Sequence, residues 1–179
     1  MADERVMIYI DGSNLYHSLK QVCGRTDLQF AEFAGRLASG RLLVRMYYYN
    51  SPKDQAKEPE QYAKQQQWFD YIRQVPYTEL RLGRLMYRGW PKIPPYEKGV
   101  DVRLATDMLV HGFRNNYDTA ILVSGDNDFS DALQAVKELG KHVEVALFGS
   151  SRGSQQLRVE ADKVVVIDKG FLDGCWRTK

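Results

Sequence analysis

The length and composition of the chain exclude several classes of protein. It has 179 residues, of which 44% are hydrophobic and 27% charged, a balance typical of one globular domain and not of a disordered or fibrous chain. No apolar run approaches the ~20 residues that span a bilayer, residues 1–5 lack a signal-peptide pattern, and two cysteines without a CxxC pair exclude a cysteine-based zinc site or disulfide scaffold. We therefore expect a single cytoplasmic domain over residues 1–179 with no membrane partner.

Apolar runs alternate with helical patterns along the first half of the chain. Residues 6–10 form a short continuous apolar run, which predicts a strand buried on both faces of a sheet. The elements expected after it are a helix to residue 22, a helix over 28–39, a strand over 42–49, a polar loop over 51–59 and a helix over 60–75.

The middle of the chain interrupts this alternation. Residues 80–87 have a strand-like pattern but carry Arg81 and Arg84, and residues 89–98 contain three prolines, so this segment is expected to form a loop or flap. The elements expected after it are helices over 100–113, 128–139 and 154–160, strands over 119–123, 143–148 and 163–167, and Gly140 at C′. Strands that alternate with helices predict an α/β fold, a three-layer α/β/α sandwich with a mostly parallel central sheet.

Carboxylates directly follow two of the predicted strands. Asp11 ends the first strand, and Asp126 and Asp128 follow the fourth, each group beside a glycine that lets the backbone turn sharply. In a parallel sheet, ligands bind beyond the carboxyl ends of the strands. One interpretation is helix capping, by Ser13 or Asn14 at the first helix. Asp126 or Asp128 would cap the later helix in the same way.

Metal binding is the second interpretation of these acids. Capping explains one acid at a strand end, but not two acids that face a third. Close carboxylates repel and stay ionised together only beside a compensating cation. The hard cations Mg²⁺ and Mn²⁺ take oxygen ligands and keep open positions for phosphate oxygens. The sequence therefore predicts a Mg²⁺ or Mn²⁺ site, provided that the two strands are neighbours.

Helical periodicity indicates a further acid. At 100° per residue, Asp101 falls within the apolar arc that includes Leu104 and Met108. A carboxylate there is costly unless it is paired or bound to a metal ion. The alternative is an acid favoured by the helix dipole or paired with Lys98. Asp107 lies at the edge of the same arc and is expected to hydrogen-bond nearby backbone.

Three motifs that contain these acids resemble one family. They are Ile10-Asp11-Gly12-Ser13-Asn14, Lys98-Gly99-Val100-Asp101-Val102-Arg103-Leu104-Ala105-Thr106-Asp107-Met108 and Val123-Ser124-Gly125-Asp126-Asn127-Asp128-Phe129. In this order and spacing they resemble the NYN domain, the LabA-like branch of PIN-fold nucleases, from Val6 to Ile167. Asp131 departs from the pattern, because relatives often have a proline there.

The resemblance implies a PIN-like sheet and metal-dependent endonucleolytic cleavage of RNA at an acidic site that binds Mg²⁺ or Mn²⁺. Carried over by motif, the catalytic and metal-binding residues are Asp11, Asp101, Asp126 and Asp128. Asn14 and Ser124 match polar positions that orient the site, and we also assign them to substrate binding.

The distribution of charge suggests the kind of substrate. Residues 73–98 contain six bases and two acids, a local net charge of +4, whereas residues 99–131 contain six acids and two bases, a local net of −4. The overall charge of +2 therefore conceals a basic flap beside an acidic pocket. Cations interleaved with aromatic rings suit single-stranded RNA, which makes Lys98, Arg84 and Arg88 predicted substrate contacts. A solvated edge strand protected by its charge, with Trp90 packed on the core, is the alternative.

Three other functions compete with a nuclease. An NYN-like module without turnover would bind RNA or a protein partner, but it has no reason to retain four repelling carboxylates. A phosphohydrolase of the haloacid dehalogenase type needs a DxD pair after the first strand, and it is disfavoured because this chain has Asp11-Gly12-Ser13 there. A dinucleotide-binding enzyme is disfavoured because no GxGxxG motif follows the first strand. A homodimer and the choice between RNA and DNA stay open, and His17 is expected on the surface of the first helix.

Overall fold

The computed structural model of the chain describes residues 4–149 and 154–178. Residues 1–3, part of the segment considered for a signal peptide, lie outside this range. The strands are β1 (Arg5–Asp11), β2 (Leu42–Asn50), β3 (Thr78–Leu82), β4 (Arg84–Met86), β5 (Tyr96–Lys98), β6 (Thr119–Val123), β7 (His142–Phe148) and β8 (Lys163–Ile167). The helices are α1 (Gly12–Cys23), α2 (Phe30–Ala38), α3 (Pro59–Gln74), α4 (Val100–Phe113), α5 (Ser130–Glu138) and α6 (Gln155–Glu160), with a 3₁₀ turn at Asn127–Phe129 before α5.

Six of the strands form one central sheet. Their order is β3-β2-β1-β6-β7-β8, and every neighbouring pair is parallel. The predicted alternation of strands and helices is therefore confirmed, and so is the α/β fold class. Parallel strands require crossover connections, which place the helices on the two faces of the sheet.

Each face of the sheet packs against its own layer of helices. In β1, Ile8 and Ile10 face the core formed with α1, α2 and α3, whereas Met7 and Tyr9 face the core formed with α4, α5 and α6. This alternation follows from the two-residue period of a strand. The side chains on both faces of β1 are buried, which explains why its sequence is continuously apolar.

The chain reverses its direction across the sheet beside β1. From β1 it continues to β2 and β3 on one side, and it then returns to β6, β7 and β8 on the other. Such a switch point opens a crevice at the carboxyl ends of the two strands that flank it. Here those strands are β1 and β6, which pair directly, with Ile10 opposite Val123.

The segment between β2 and α4 differs from its predicted form. Residues 80–87 are not one strand: Thr78–Leu82 is the edge strand of the main sheet, and the chain then turns at Gly83 into a separate antiparallel hairpin of β4 and β5. An edge strand and a two-stranded hairpin need less apolar surface than a central strand, which is why this segment is less hydrophobic than the others. We call residues 84–98 the hairpin below.

Two expectations drawn from composition concern cysteines and membranes. Cys23 is half-buried and Cys175 is buried, and both are free thiols. In the described part of the chain, no helix combines the length and the apolar character needed to cross a bilayer.

Candidate active site

Asp11 ends β1 with both carboxylate oxygens engaged. The residue is buried, with only 6% of its surface exposed. Its Oδ1 accepts a hydrogen bond from the backbone N–H of Asn14 at 3.0 Å, and its Oδ2 accepts one from the Ser124 hydroxyl at 3.0 Å. Capping of the first helix is thus real, but Asp11 itself provides it in place of Ser13 or Asn14.

Ser124 connects the two strand ends. Besides donating to Asp11, its Oγ accepts a hydrogen bond from the backbone N–H of Asp126 at 3.2 Å. Asp126 Oδ1 in turn accepts from the backbone N–H of Asp128 at 3.0 Å and so caps the 3₁₀ turn. Asn14 Oδ1 accepts from the backbone N–H of Gly125 at 3.1 Å, which ties the start of α1 to this second loop. The carboxylates at the ends of β1 and β6 are therefore held by one hydrogen-bonded frame.

Asp101 approaches this frame from the first turn of α4. Its side chain is exposed, not placed against the apolar core as the helical arc suggested. Within residues 4–149 and 154–178, Lys98 forms no ion pair with it, so the predicted alternative pairing is not observed. Desolvation raises the pKa of Asp101, and the negative charges of Asp126 and Asp128 raise it further. The helix acid therefore lies within electrostatic range of the acids that follow β6.

The pKa of Asp11 reports the same proximity. Burial raises this pKa, and the charges of Asp101 and Asp126 add to the effect. The hydrogen bonds from Asn14 and Ser124 act in the opposite direction, because they stabilise the charged carboxylate. Asp11, Asp101 and Asp126 thus lie within electrostatic range of one another near the switch point of the sheet, and Asp128 lies within range of Asp101.

Glu97 is a site residue that sequence reasoning missed. It lies on β5, and burial raises its pKa, with further increases from the charges of Asp11 and Asp101. The hairpin thus directs a carboxylate toward the acids of the main sheet. One sequence signal was available: Glu97 is one of only two acids in the basic segment 73–98.

Two of the predicted basic contacts, Arg84 and Lys98, lie on the other face of the hairpin. Arg84 is directly opposite Lys98, whereas Leu85 is opposite Glu97, and successive residues of a strand point to opposite faces. Arg84, Lys98 and Arg88 are all exposed. Arg84 and Lys98 carry like charges directly opposite each other, and such charges repel. In the described ranges no carboxylate forms an ion pair with Arg84 or Lys98. The hairpin therefore presents an acidic face to Asp11 and a cationic face to solvent.

One aromatic ring of the hairpin has a structural role. The Tyr87 hydroxyl donates to Glu58 Oε2 at 2.5 Å and accepts from the backbone N–H of Asp54 at 3.0 Å. Trp90 packs edge-to-face on the Tyr87 ring, with centroids 5.5 Å apart. Trp90 thus packs on the hairpin's own anchor and not on the main core.

Asp107 is separate from this group of acids. Its Oδ2 accepts a hydrogen bond from the Tyr49 hydroxyl at 2.8 Å and lies 3.9 Å from Arg81 Nε. The expectation that Asp107 hydrogen-bonds nearby backbone is therefore wrong, because its partner is the Tyr49 hydroxyl of β2. The outcome for metal binding is the same: Asp107 is already paired.

The donor types at the switch point fit a hard divalent cation. Carboxylate oxygens predominate, and burial together with the charges of neighbouring acids raises the pKa values of Asp11, Glu97 and Asp101. Among the residues that the structure describes, no three acidic, histidine or cysteine side chains stand close enough to form a ready metal site. A bound ion would therefore draw the exposed acids inward or contact some of them through water.

The chain is similar to a known family and to a solved structure. The model of the NYN domain family matches residues 5–168, which include every acid described above. A crystal structure of a protein of unknown function from Vibrio parahaemolyticus matches with 25% identity and a TM-score of 0.69, covering 93% of this chain and 94% of that chain. No curated protein matches the sequence. The resemblance inferred from the three motifs is confirmed.

Proposed function

The chain belongs to the NYN domain family, a family of PIN-like nucleases, and from this premise we propose that it is a metal-dependent endoribonuclease. Its substrate is single-stranded RNA, and it hydrolyses phosphodiester bonds at the carboxyl ends of β1 and β6. The ion is Mg²⁺ or Mn²⁺.

One observation carries the proposal. Asp11 and Asp126 follow the paired strands β1 and β6 and are connected through the Ser124 hydroxyl, and Asp101 lies within electrostatic range of both. In the part of the chain that the structure describes, no base forms an ion pair with any of them. Mutual repulsion of this kind lowers the stability of the fold, and a divalent cation would remove it.

Each acid then has a role in the proposed reaction. Asp11, Asp126 and Asp101 hold the principal ion, directly or through water, and Asp128 holds a second ion or orients the attacking water. When bound, the ion polarises the phosphate and lowers the pKa of a coordinated water. Ser124 fixes the orientation of the Asp11 carboxylate, and such supporting hydrogen bonds tune metal ligands.

We assign the substrate to the hairpin side of the site. Glu97, on β5 of the hairpin, lies within electrostatic range of Asp11 and Asp101, and it helps to orient the attacking water. The exposed cations Arg84, Arg88 and Lys98 contact phosphates of the flanking nucleotides, where they offset the repulsion between RNA and the acidic group.

Cleavage of a labelled single-stranded RNA, with and without Mn²⁺ or Mg²⁺, tests the proposal. We expect the parent protein to cleave only with the ion, and Asp126→Asn to cleave at least about 100-fold more slowly, the loss typical of removing one electrostatic contributor to a transition state. Asp131→Asn is the matched control, an exposed acid three residues beyond Asp128, and it should retain activity. Metal-dependent cleavage by folded Asp126→Asn protein at the parent rate would overturn the mechanism.

A binding module without turnover is the second candidate. It is favoured by one observation, that the described acids do not yet form a ready metal site. This candidate predicts that the parent protein binds the labelled RNA in an anisotropy titration but cleaves it with neither ion. That result would replace the nuclease proposal.

A further inference from the structure

The exposed face of α1 is distinct from the hairpin and carries its own chemistry. Ser13, Tyr16, His17 and Lys20 have the i, i+3, i+4, i+7 spacing of a single helix face. Tyr16 is 45% exposed, and His17 and Lys20 are exposed as well. The buried residues of this helix lie on its opposite face.

Contacts on this face place an aromatic ring beside a cation. The Tyr16 and His17 rings meet edge-to-face with centroids 5.4 Å apart, and Lys20 Nζ lies 6.0 Å from the centre of the Tyr16 ring. Helix α1 contains no acidic residue, and in residues 4–149 and 154–178 no carboxylate forms an ion pair with Lys20. The face therefore combines a π surface with a positive charge that no neighbour neutralises.

The face begins at the candidate active site. Helix α1 follows Asp11 directly, and Asn14, in its first turn, contacts the backbone of Gly125. At 1.5 Å per residue, the row from Ser13 to Lys20 extends about 10 Å away from the acids. A strand of nucleic acid with one phosphate at Asp11 would reach this row with its adjacent nucleotides.

We propose that this face of α1 is a stacking track for the RNA segment that flanks the scissile phosphate. Tyr16 is the platform for a base, His17 supports the ring from its edge, and Lys20 contacts a phosphate. Stacking of bases on aromatic rings is tolerant of sequence, and a cation beside the ring adds the backbone contact. The inference rests on the proposed function for the identity of the ligand.

Binding without turnover tests the track. The probe is a fluorescently labelled 12-nucleotide oligouridine, titrated in Mg²⁺ with full-length protein that carries Asp126→Asn to prevent cleavage. We expect Tyr16→Ala to weaken binding between about 5-fold and 100-fold, the range that base stacking supports, and Tyr16→Phe to bind as the background protein does. Lys20→Ala should weaken binding and reduce the slope of log affinity against log salt by about 1.

A matched control separates stacking from a general loss of aromatic surface. Tyr77 is 66% exposed and precedes β3, at the other end of the sheet, so Tyr77→Ala should leave binding unchanged. Equal binding by Tyr16→Ala and the background protein would overturn the track, as would an equal loss in Tyr77→Ala.

The two proposals fail separately. Cleavage of RNA by the parent protein, together with unaltered binding by Tyr16→Ala, would remove the track and leave the nuclease. Binding that depends on Tyr16, without cleavage by the parent protein under any metal condition, would remove the nuclease and support the track.

Discussion

Asp101 is the acid of the site with the least compensation. Its pKa is raised by desolvation and by the charges of Asp126 and Asp128, and in the described residues no side chain forms a hydrogen bond or ion pair with it. Asp101→Asn removes one charge at constant shape. We expect the Tm of the metal-free variant at pH 7 to rise by about 1–3 °C, because an exposed charge interaction contributes at most about 1 kcal/mol. Mn²⁺ should raise the Tm of the variant less than that of the parent, and differential scanning fluorimetry measures both shifts.

The control for this prediction is an acid of the same helical position. Asp131 is exposed in the first turn of α5, where a negative charge is favoured by the helix dipole. Asp131→Asn should leave the Tm unchanged or lower it slightly. If the Tm of metal-free Asp101→Asn falls as well, then repulsion among the acids of the site does not destabilise the fold.

The raised pKa values of Asp11, Asp101 and Glu97 also give a pH dependence with a definite sign. A metal ion binds the ionised carboxylates, so protons compete with it below the raised pKa values. We expect the affinity for Mn²⁺ to decline on acidification at a higher pH than it would if these carboxylates had ordinary pKa values. In the metal-free protein the sign is reversed: these three groups favour the fold more as the pH falls through their raised pKa values.

Isothermal titration calorimetry in two buffers of different ionisation enthalpy measures this pH dependence. Protons released on Mn²⁺ binding appear as a difference in heat between the buffers. An Mn²⁺ affinity that declines only in the pH range of ordinary carboxylates would contradict a raised pKa at these residues.

The glycine at the start of α1 shows how an element is fitted to the site. The sequence suggested that Gly12 permits a sharp turn, but its φ lies outside the left-handed region. A Cβ there would instead stand 2.5 Å from both Tyr48 Cζ and the Tyr49 carbonyl oxygen. Gly12 is thus required by the close approach of β2, which lets Asp11 cap the helix and face Ser124 together.

The hairpin depends on one tyrosine hydroxyl. Tyr87→Phe removes the hydrogen bonds to Glu58 and to the Asp54 backbone, and it leaves a largely buried carboxylate with one partner fewer. We expect a local loss of about 1–3 kcal/mol, with faster hydrogen exchange and faster proteolysis in residues 84–98. Hydrogen-exchange mass spectrometry at peptide resolution measures the change.

Tyr96→Phe is the matched control on the same hairpin. Its side chain is 47% exposed, and in the described ranges its hydroxyl forms no hydrogen bond. Exchange in residues 84–98 should stay at the parent level. Equal exchange in the two variants would mean that the hydroxyl of Tyr87 does not anchor the hairpin.

These elements show which parts of the molecule local sequence determines. The bounds predicted for β6 and α4 agree with the structure at both ends, because an uninterrupted apolar run and a helix that starts after a glycine of positive φ are local signals. The hairpin is not local: Tyr87 reaches Glu58 across 29 residues. The position of Glu97 could not be predicted for the same reason, since its proximity to Asp11 depends on that distant anchor.

Across the whole molecule, the two ends of the sheet have opposite electrostatic design. At the carboxyl ends, no base among the described residues forms an ion pair with Asp11, Asp101 or Asp126, whereas the amino ends hold matched ions. There Arg41 makes a two-point contact with Glu144, Nη1 to Oε1 at 2.8 Å and Nη2 to Oε2 at 3.0 Å. Glu4, just before β1, and Lys163, in β8, extend the network at 3.1 Å from Arg41 and 3.5 Å from Glu144. Ion pairs thus stabilise the fold at the amino ends, and it is at the carboxyl ends that the proposed site lies.

This division of roles predicts a variant that loses stability without losing function. The Glu144 side chain is only 8% exposed and its partner Arg41 15%, so Glu144→Gln leaves a poorly solvated guanidinium with a weaker partner. We expect a loss of about 3 kcal/mol, as for breaking a buried ion pair, and a Tm lower by roughly 5–10 °C. Glu79→Gln, which breaks the more exposed pairs with Arg45 and Arg81, should cost less than about 1 kcal/mol for each pair. RNA cleavage at 25 °C by the folded fraction should match the parent in both variants, and a loss confined to Glu144→Gln would show that the two ends of the sheet are coupled.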